Sequence, residues 1–445
     1  MSNTIISKNS NVANLVPLTT ELAYGEIAVN THDGKLFLKV DPGTGAIITA
    51  IGDQTADYVW YVSKSGNDDN DGKSLSTAKL TIESAVSEAN IIADASSNNR
   101  VTIFVKSGDY TENNPITLSP RVTIVGDNLR SVSVRPANVT DDIFWVNNGC
   151  YISGITFRGH IEPAAAVAYP SGGAGPITTS PYVQNCSSIT TTGAGARIDG
   201  SLASGLRSMV FDAYTQINQG GIGIHILNQG YSQLVSIFTI CCQDGILTES
   251  GGTCSVTNSN SSFGTYALRA NGKSGPLYTG TSDGASQQGP LIQIKNLTQD
   301  PVVNTAVSFD AGVTLYTIYN VVQVAGSTWI LELPDTTLVP IPDNTPAVFY
   351  QRSQITTSSH TFEYVGTGNN LGNALPQDGG VPIQANEIVQ ENGGEIIFTS
   401  TDQRGDFRVG SQLTINGPQG TITGEAFDKS LFAVMTPYIL AIEGP

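Results

Sequence analysis

Apolar and polar residues alternate over short stretches through most of this chain, and one segment departs from that rhythm. Across residues 82–92, Ile82, Ala85, Val86, Ala89 and Ile92 fall at the spacing of a single helical face. Thr81 stands where an N-cap belongs, and Glu83 lies in the first turn. Ahead of it, residues 58–63 alternate as a strand does. The run Gly66-Asn67-Asp68-Asp69-Asn70-Asp71-Gly72 then forces turns, because Gly, Asn and Asp tolerate positive φ. A strand, a polar loop and one helix ahead of a long β array predict a cap. Ile82, Val86 and Ala89 would cover the apolar end of a first rung containing Val101, Ile103 and Val105.

From residue 100 to about 275 the chain is a run of short β segments, including 101–105, 122–126, 142–146 and 151–157. An internal echo begins at Gly221, Gly245 and Gly264, at spacings of 245 − 221 = 24 and 264 − 245 = 19. Two strand-like pieces per repeat of roughly 20 to 25 residues fit the rungs of a parallel β-helix. Asn258 and Asn260 suit turn corners, and the Ala-, Pro- and Gly-rich residues 163–179 suggest a loop protruding from the stack. The expected fold is all-β: a right-handed parallel β-helix core with one capping α-helix, an N-terminal β-hairpin module and C-terminal antiparallel β domains. The expected boundaries are 1–56 for the hairpin module, 57–287 for cap and β-helix, 288–352 for a small antiparallel barrel or sandwich, and 353–445 for a C-terminal β region. In the first of these, Asp33-Gly34 between two apolar runs is a hairpin signal. One hairpin is too small to be stable alone, so it must pack on something.

Composition narrows the function classes. The formal charge of −17 argues against binding a nucleic-acid backbone. No stretch has the roughly 18 to 20 apolar residues a membrane helix needs. The N-terminus lacks the apolar core of a signal peptide, which implies synthesis in a cytoplasm. Five cysteines (Cys150, Cys186, Cys241, Cys242, Cys254) show no CxxC spacing and read as buried reduced thiols.

No catalytic, cofactor or metal site stands out along the chain. Glycoside cleavage needs two carboxylates on one face, and Asp199, Asp212, Asp244 and Glu249 are the available ones. Each borders Gly, Ala or a loop, as turn-capping carboxylates do, although Asp212 and Asp244 could meet in space. The histidines His32, His160, His225 and His360 have no ligand neighbour at helix or hairpin spacing. The 67–72 loop imitates part of a calcium loop, but Ala78 occupies the position of the required bidentate Glu. Arg404-Gly405-Asp406 reads as a turn with a local ion pair. The expectation is therefore a protein that is not an enzyme and carries no cofactor.

Several strings resemble a known family. "LTTELAYGEIAVNTHDGKLFLK" near the N-terminus, "SSFGTYALRANG", "SSHTFEYVGTGNNL" and "GGVPIQANEIVQENGGEIIFTSTDQRGDFRVG" are similar to virion structural proteins of large contractile-tailed phages, notably cyanophages. Those proteins are tail-fibre-like or baseplate-associated, and the entry segment also resembles that of tailspike-like parallel β-helices. The resemblance implies a homotrimer in a phage tail, built against other tail or baseplate proteins, without nucleic acid or membrane insertion. It implies attachment through the N-terminal module, with Glu21, Tyr24, Glu26, Asp33 and Lys35 as attachment residues. Two alternatives compete: a tailspike depolymerase, and an adhesin holding host glycan through Tyr169, Tyr182, Tyr214 and Tyr231.

Overall fold

The computed structural model describes residues 7–51 except 14, 58–333 except 285, 286 and 288, 340–357 and 360–362, and further strand segments within 387–398, 412–417 and 420–425. Two parallel sheets wind round a shared core in about 11 turns, a parallel β-helix. The main path of the 15-stranded sheet stacks Val59–Val62, Val101–Val105, Val122–Gly126, Tyr151–Ser153, Tyr182–Ile189, Ser208–Ile217, Tyr231–Ile240, Thr253–Thr257, Gln354–Thr357 and Glu395–Phe398. The 8-stranded sheet stacks Ile116–Thr117, Phe144–Trp145, Ala165–Ala168, Ala194–Asp199, Ile222–Leu227, Asp244–Glu249, Tyr266–Asn271 and Glu387–Glu391. Alternation sends Val101, Ile103, Val183, Phe211, Leu234 and Val256 inward, where all are buried in one cluster.

The echo found in the sequence is a stack of rungs, but its register is carried by different residues. Ile222 pairs with Asp244 and Asp244 with Tyr266, so the true repeat is 244 − 222 = 22 and 266 − 244 = 22. Gly223, not Gly221, is the residue level with Gly245. The long sheet bends at one level: Asn185, Ala213, Ser236 and Asn258 hold left-handed backbone with φ of 50°, 50°, 53° and 47°. Asn258 is thus a corner as expected, whereas Asn260 lies in the strand Ser259–Ser262.

The helix Ile82–Ala95 closes the first turns. Thr81 accepts from the Ser84 N–H at 3.2 Å, and Ile82, Ala85, Val86, Ala89 and Ala93 are buried in the cluster that holds Val101, Ile103 and Val105. The β-helix grips both helix ends. Glu112 accepts from the Ile82 and Glu83 N–H groups, each at 2.9 Å, where the dipole favours a carboxylate. Arg121 donates to the Ala93 carbonyl at 3.2 Å and the Ser96 carbonyl at 3.4 Å.

Residues 163–179 are not a protruding loop. Ala165–Ala168 is a fully buried strand between Phe144–Trp145 and Ala194–Asp199, and Tyr169 beyond it is buried as well. Alanine is small enough to pack on both faces of a strand, which the sequence pattern disguises as low complexity. Among the cysteines, Cys150, Cys186, Cys242 and Cys254 are buried free thiols, but Cys241 is exposed on a left-handed corner, contrary to expectation.

Between Tyr266–Asn271 and Gln354–Thr357 the chain builds a 7-stranded antiparallel sheet that starts at Tyr278–Ser282 and has its own core. The Tyr278 and Phe349 rings stack there at 4.4 Å. The β-helix then resumes, as Gln354–Thr357 pairs in parallel with Thr253–Thr257. Gln412–Gly417 and Gly420–Glu425 form an antiparallel hairpin. The N-terminal module has four strands rather than one hairpin. Ile27–Asn30 and Lys35–Val40 pair around the Asp33-Gly34 turn, Ile47–Ile51 adds to one side and Lys8–Ser10 to the other. No helix among the described residues is long and apolar enough to cross a membrane.

Candidate functional site

The long sheet turns one ribbon of side chains outward ahead of the bend. Register stacks Thr123, Tyr151, Tyr182, Val210, Gln233, Ser255 and Thr356 in one column. Ser153, Gln184, Asp212, Val235 and Thr257 form the next. Tyr151 and Tyr182 stack at 6.0 Å with their planes 27° apart. Their hydroxyls reach across to the second column. The Tyr151 hydroxyl donates to Gln184 Oε1 at 2.7 Å, and the Tyr182 hydroxyl to Asp212 Oδ2 at 3.1 Å. Gln184 Nε2 donates to the same Asp212 oxygen at 2.9 Å. Burial raises the Tyr182 hydroxyl above its ordinary pKa, and the Asp212 carboxylate adds to the shift. Nearer the cap, Tyr61 and Phe104 stack at 5.8 Å. At the far end the ribbon enters a cleft of about 400 Å³ lined by Tyr231, Ser255 and Thr356 of the β-helix and by Val302, Asn304 and Arg352. Flat aromatic faces beside amide and carboxylate groups, one rung every ~4.8 Å, suit a linear polymer with apolar faces and hydroxyl edges.

The 8-stranded sheet carries a second outward row, and this one is charged. Arg197, His225, Leu247 and Arg269 are level on successive rungs. Arg197 pairs with Asp142 at 2.5 Å, and Trp145 Nε1 donates to the same carboxylate oxygen at 2.8 Å. His225 Nε2 lies 2.9 Å from Glu249 Oε2, while Asn271 donates to Glu249 Oε1 at 3.0 Å. Arg269 bridges Asp244 at 3.4 Å and Glu391 at 3.0 Å. The two carboxylates of Asp244–Glu249 differ in environment. Burial pushes the Asp244 carboxyl above its ordinary value against the pull of Arg269, and the His225 hydrogen bond draws Glu249 below its own. Opposed carboxylates beside an imidazole are the raw material of general acid–base chemistry.

The sequence candidates are distributed differently from expectation. Asp244 and Glu249 share this cluster, but Asp212 belongs to the other sheet, so Asp212 and Asp244 are not brought together. Asp199 accepts from Ser201 and Asn228 and serves a turn. Of the four tyrosines read as glycan contacts, Tyr169 and Tyr214 are core residues, while Tyr182 lies on the ribbon and Tyr231 in the cleft. Tyr151 was missed, because its partner Tyr182 is 31 residues away (182 − 151) and only parallel register joins them. His160 is buried and its Nε2 donates to the Ala194 carbonyl oxygen at 2.8 Å, and His32 sits beside Asp33 in the N-terminal module. His360's side chain and Arg404-Gly405-Asp406 lie outside the described residues. Two carboxylates of the 67–72 loop serve structure: Asp68 accepts from the Leu80 and Thr81 N–H groups, each at 2.9 Å. Asp71 accepts from Lys73 and Thr77. No group of three or more metal-capable side chains occurs among the described residues.

In the N-terminal module, Glu21 accepts from the Leu18 N–H at 2.7 Å and Glu26 pairs with Lys8 at 2.9 Å. Tyr24 is exposed beneath Lys39, Asp33 lies in the hairpin turn beside His32, and Lys35 opens the strand Lys35–Val40. A cavity of about 460 Å³ opens between Leu15, Pro17, Leu22, Val29 and Phe37.

No protein-family model and no curated protein matches the chain. Among solved structures, a pectin methylesterase in complex with a hexasaccharide is 14% identical, with a TM-score of 0.29 over 45% of this chain and 65% of that one. Pectin methylesterase PemA from Erwinia chrysanthemi is 12% identical, TM-score 0.31, over 73% and 98%. ORF18 of Geobacillus virus E2 is 10% identical, TM-score 0.30, over 95% and 96%. The expectation that this chain is not an enzyme does not stand. The premise of that expectation fails too. It rested on no carboxylate pair or histidine cluster standing out along the chain, and His225, Asp244, Glu249, Arg269 and Glu391 stand together on four neighbouring rungs.

Proposed function

We propose that the chain is a β-helical element of a phage tail that lies along polysaccharide on the host surface. The observation that carries this reading is the ladder of Tyr151, Tyr182, Gln184 and Asp212. Its aromatic faces can pack against the apolar face of a sugar ring, and its amide and carboxylate can exchange hydrogen bonds with hydroxyls. The N-terminal module supplies the attachment end. Its core is small, yet Val12, Leu15, Val16 and Leu18 are exposed on the segment whose Leu15 and Pro17 line the cavity, an apolar surface that suits docking onto another tail protein. Assembly as a homotrimer in the virion belongs to the same reading.

Titration of the purified chain with neutral and acidic host-type oligosaccharides in a calorimeter tests it. Wild type should bind, and Tyr182→Ala and Tyr151→Ala should each weaken binding at least about tenfold. Unchanged affinity in both variants, with the fold intact, sinks the ribbon.

A second reading, polysaccharide cleavage, is favoured by the opposed carboxylates at Asp244 and Glu249. Hydrolysis would add water across a glycosidic bond, with one carboxyl protonating the leaving oxygen and the other taking a proton from the water. New reducing ends that vanish in Asp244→Asn and Glu249→Gln would establish it, and their absence from wild type would exclude it.

A further inference from the structure

At the corner that follows the 8-stranded sheet, four successive turns of the β-helix enclose a notch of about 490 Å³. Gly200, Ser201 and Ala203 form one wall, Asn228, Gln229 and Ser250 the floor, and Arg207 and Lys273 contribute cations. No carboxylate lines it, in a chain of formal charge −17. Several other cations of the β-helix are ion-paired: Lys106 to Asp127, Arg197 to Asp142, and Arg269 to Asp244 and Glu391. Among the described residues, neither Arg207 nor Lys273 has an ion-pair partner. Arg207 meets only the Gln229 side-chain oxygen, at 3.4 Å, and Lys273 sits 5.3 Å from the centre of the Tyr350 ring.

The walls are fixed by backbone rather than by adaptable side chains. Arg207, Asn228, Gln229 and Ser250 all hold left-handed backbone, at φ of 49°, 52°, 61° and 51°. A Cβ at Gly200 would lie 2.4 Å from the Asn228 carbonyl oxygen, so this corner closes only around glycine. Two like charges held at one preformed, donor-rich cavity repel each other until a counter-charge arrives.

We infer that this notch is an anion site that takes the acidic groups of a polysaccharide, whether carboxylate, sulfate or phosphate ester; the inference rests on the polysaccharide reading above. Arg207 and Lys273 supply the charge-assisted hydrogen bonds, and Ser250 and the Gln229 amide N–H supply the neutral ones, while Ser201 and Asn228 are held by Asp199 behind them. The ribbon then holds the body of a sugar chain while the notch selects for its charge.

The test is calorimetry on the full chain with three probes: a uronic-acid oligosaccharide, an uncharged oligosaccharide of equal length, and inorganic phosphate. Wild type should prefer the acidic oligomer, with a preference that falls as salt rises. Arg207→Gln and Lys273→Gln should each raise its Kd about tenfold and leave the neutral oligomer unaffected. Equal affinity for both oligomers in wild type, or an acidic preference that survives the double substitution, overturns the notch. So does phosphate binding with no response to the acidic oligomer. Loss of neutral-oligomer binding in Tyr182→Ala reports on the ribbon separately, so the two readings fail by different results.

Discussion

A Cβ on Gly223 would lie 2.2 Å from the carbonyl oxygen of Gly245, one turn further along the β-helix, and 2.8 Å from the Thr239 methyl. Real Cβ atoms do not approach a backbone oxygen that closely. Gly223 and Gly245 are level between the paired positions Ile222–Asp244 and Ile224–Ile246, beside the polar residues Thr239 and Ser261, which share a hydrogen bond of 2.7 Å.

Gly223→Ala therefore forces two rungs apart. Overpacking of this kind costs about 1–3 kcal/mol. Chemical denaturation should show a loss in that range, and Gly172→Ala, at a position open to solvent, should show almost none.

Val86→Asp places a charge under the cap. Burial of a valine contributes about 1.5–3 kcal/mol, and an unpaired carboxylate adds a desolvation cost of its own. The expected outcome is a lower melting temperature together with aggregation, as the first rung's edge becomes accessible. Unchanged melting and solubility would show that the helix does not protect that edge.

The pKa values of the two carboxyls, Asp244 and Glu249, are displaced in opposite directions from their ordinary values. Glu249 is held below its ordinary 4.5 by the His225 hydrogen bond. Its contribution to stability is present above that value and is lost as pH falls through the folded pKa. Asp244 is raised above 3.8 by burial. Its contribution is full below 3.8 and is lost as pH rises through the folded pKa. Carboxyl-carbon NMR titration checks both signs, and Glu249→Gln should flatten the acid side of the stability curve.

Removal of residues 1–56 should leave the β-helix folded, because the module's buried residues Leu22, Ala28 and Phe37 form a cluster apart from the β-helix core. The truncated protein should keep its thermal transition but fail to enter tail particles. Incorporation at the normal level would remove the attachment role from this module.

The sequence by itself determined what depends on neighbours along the chain. The helix at Ile82–Ala95 and its Thr81 cap, the Asp33-Gly34 turn and the alternating strands are local periodicities and turn chemistries, legible without any partner. The run of short alternating segments carried the all-β reading, and the spacing of Gly221, Gly245 and Gly264 carried the repeat of roughly 20 to 25 residues. The tertiary structure decided everything that depends on register. In a parallel β-helix, side chains that touch are a full turn apart in sequence. Turn lengths vary with corners and loops, and a slip of one residue sends a side chain to the other face. That is why Tyr151 found Tyr182, and why His225 found Glu249 across 24 residues (249 − 225), while Asp212 and Asp244 ended on different sheets. It is also why Tyr169 and Tyr214, aromatic and polar like the ribbon tyrosines, are core residues: their chemistry suits either place, and only the register assigned them to the inside.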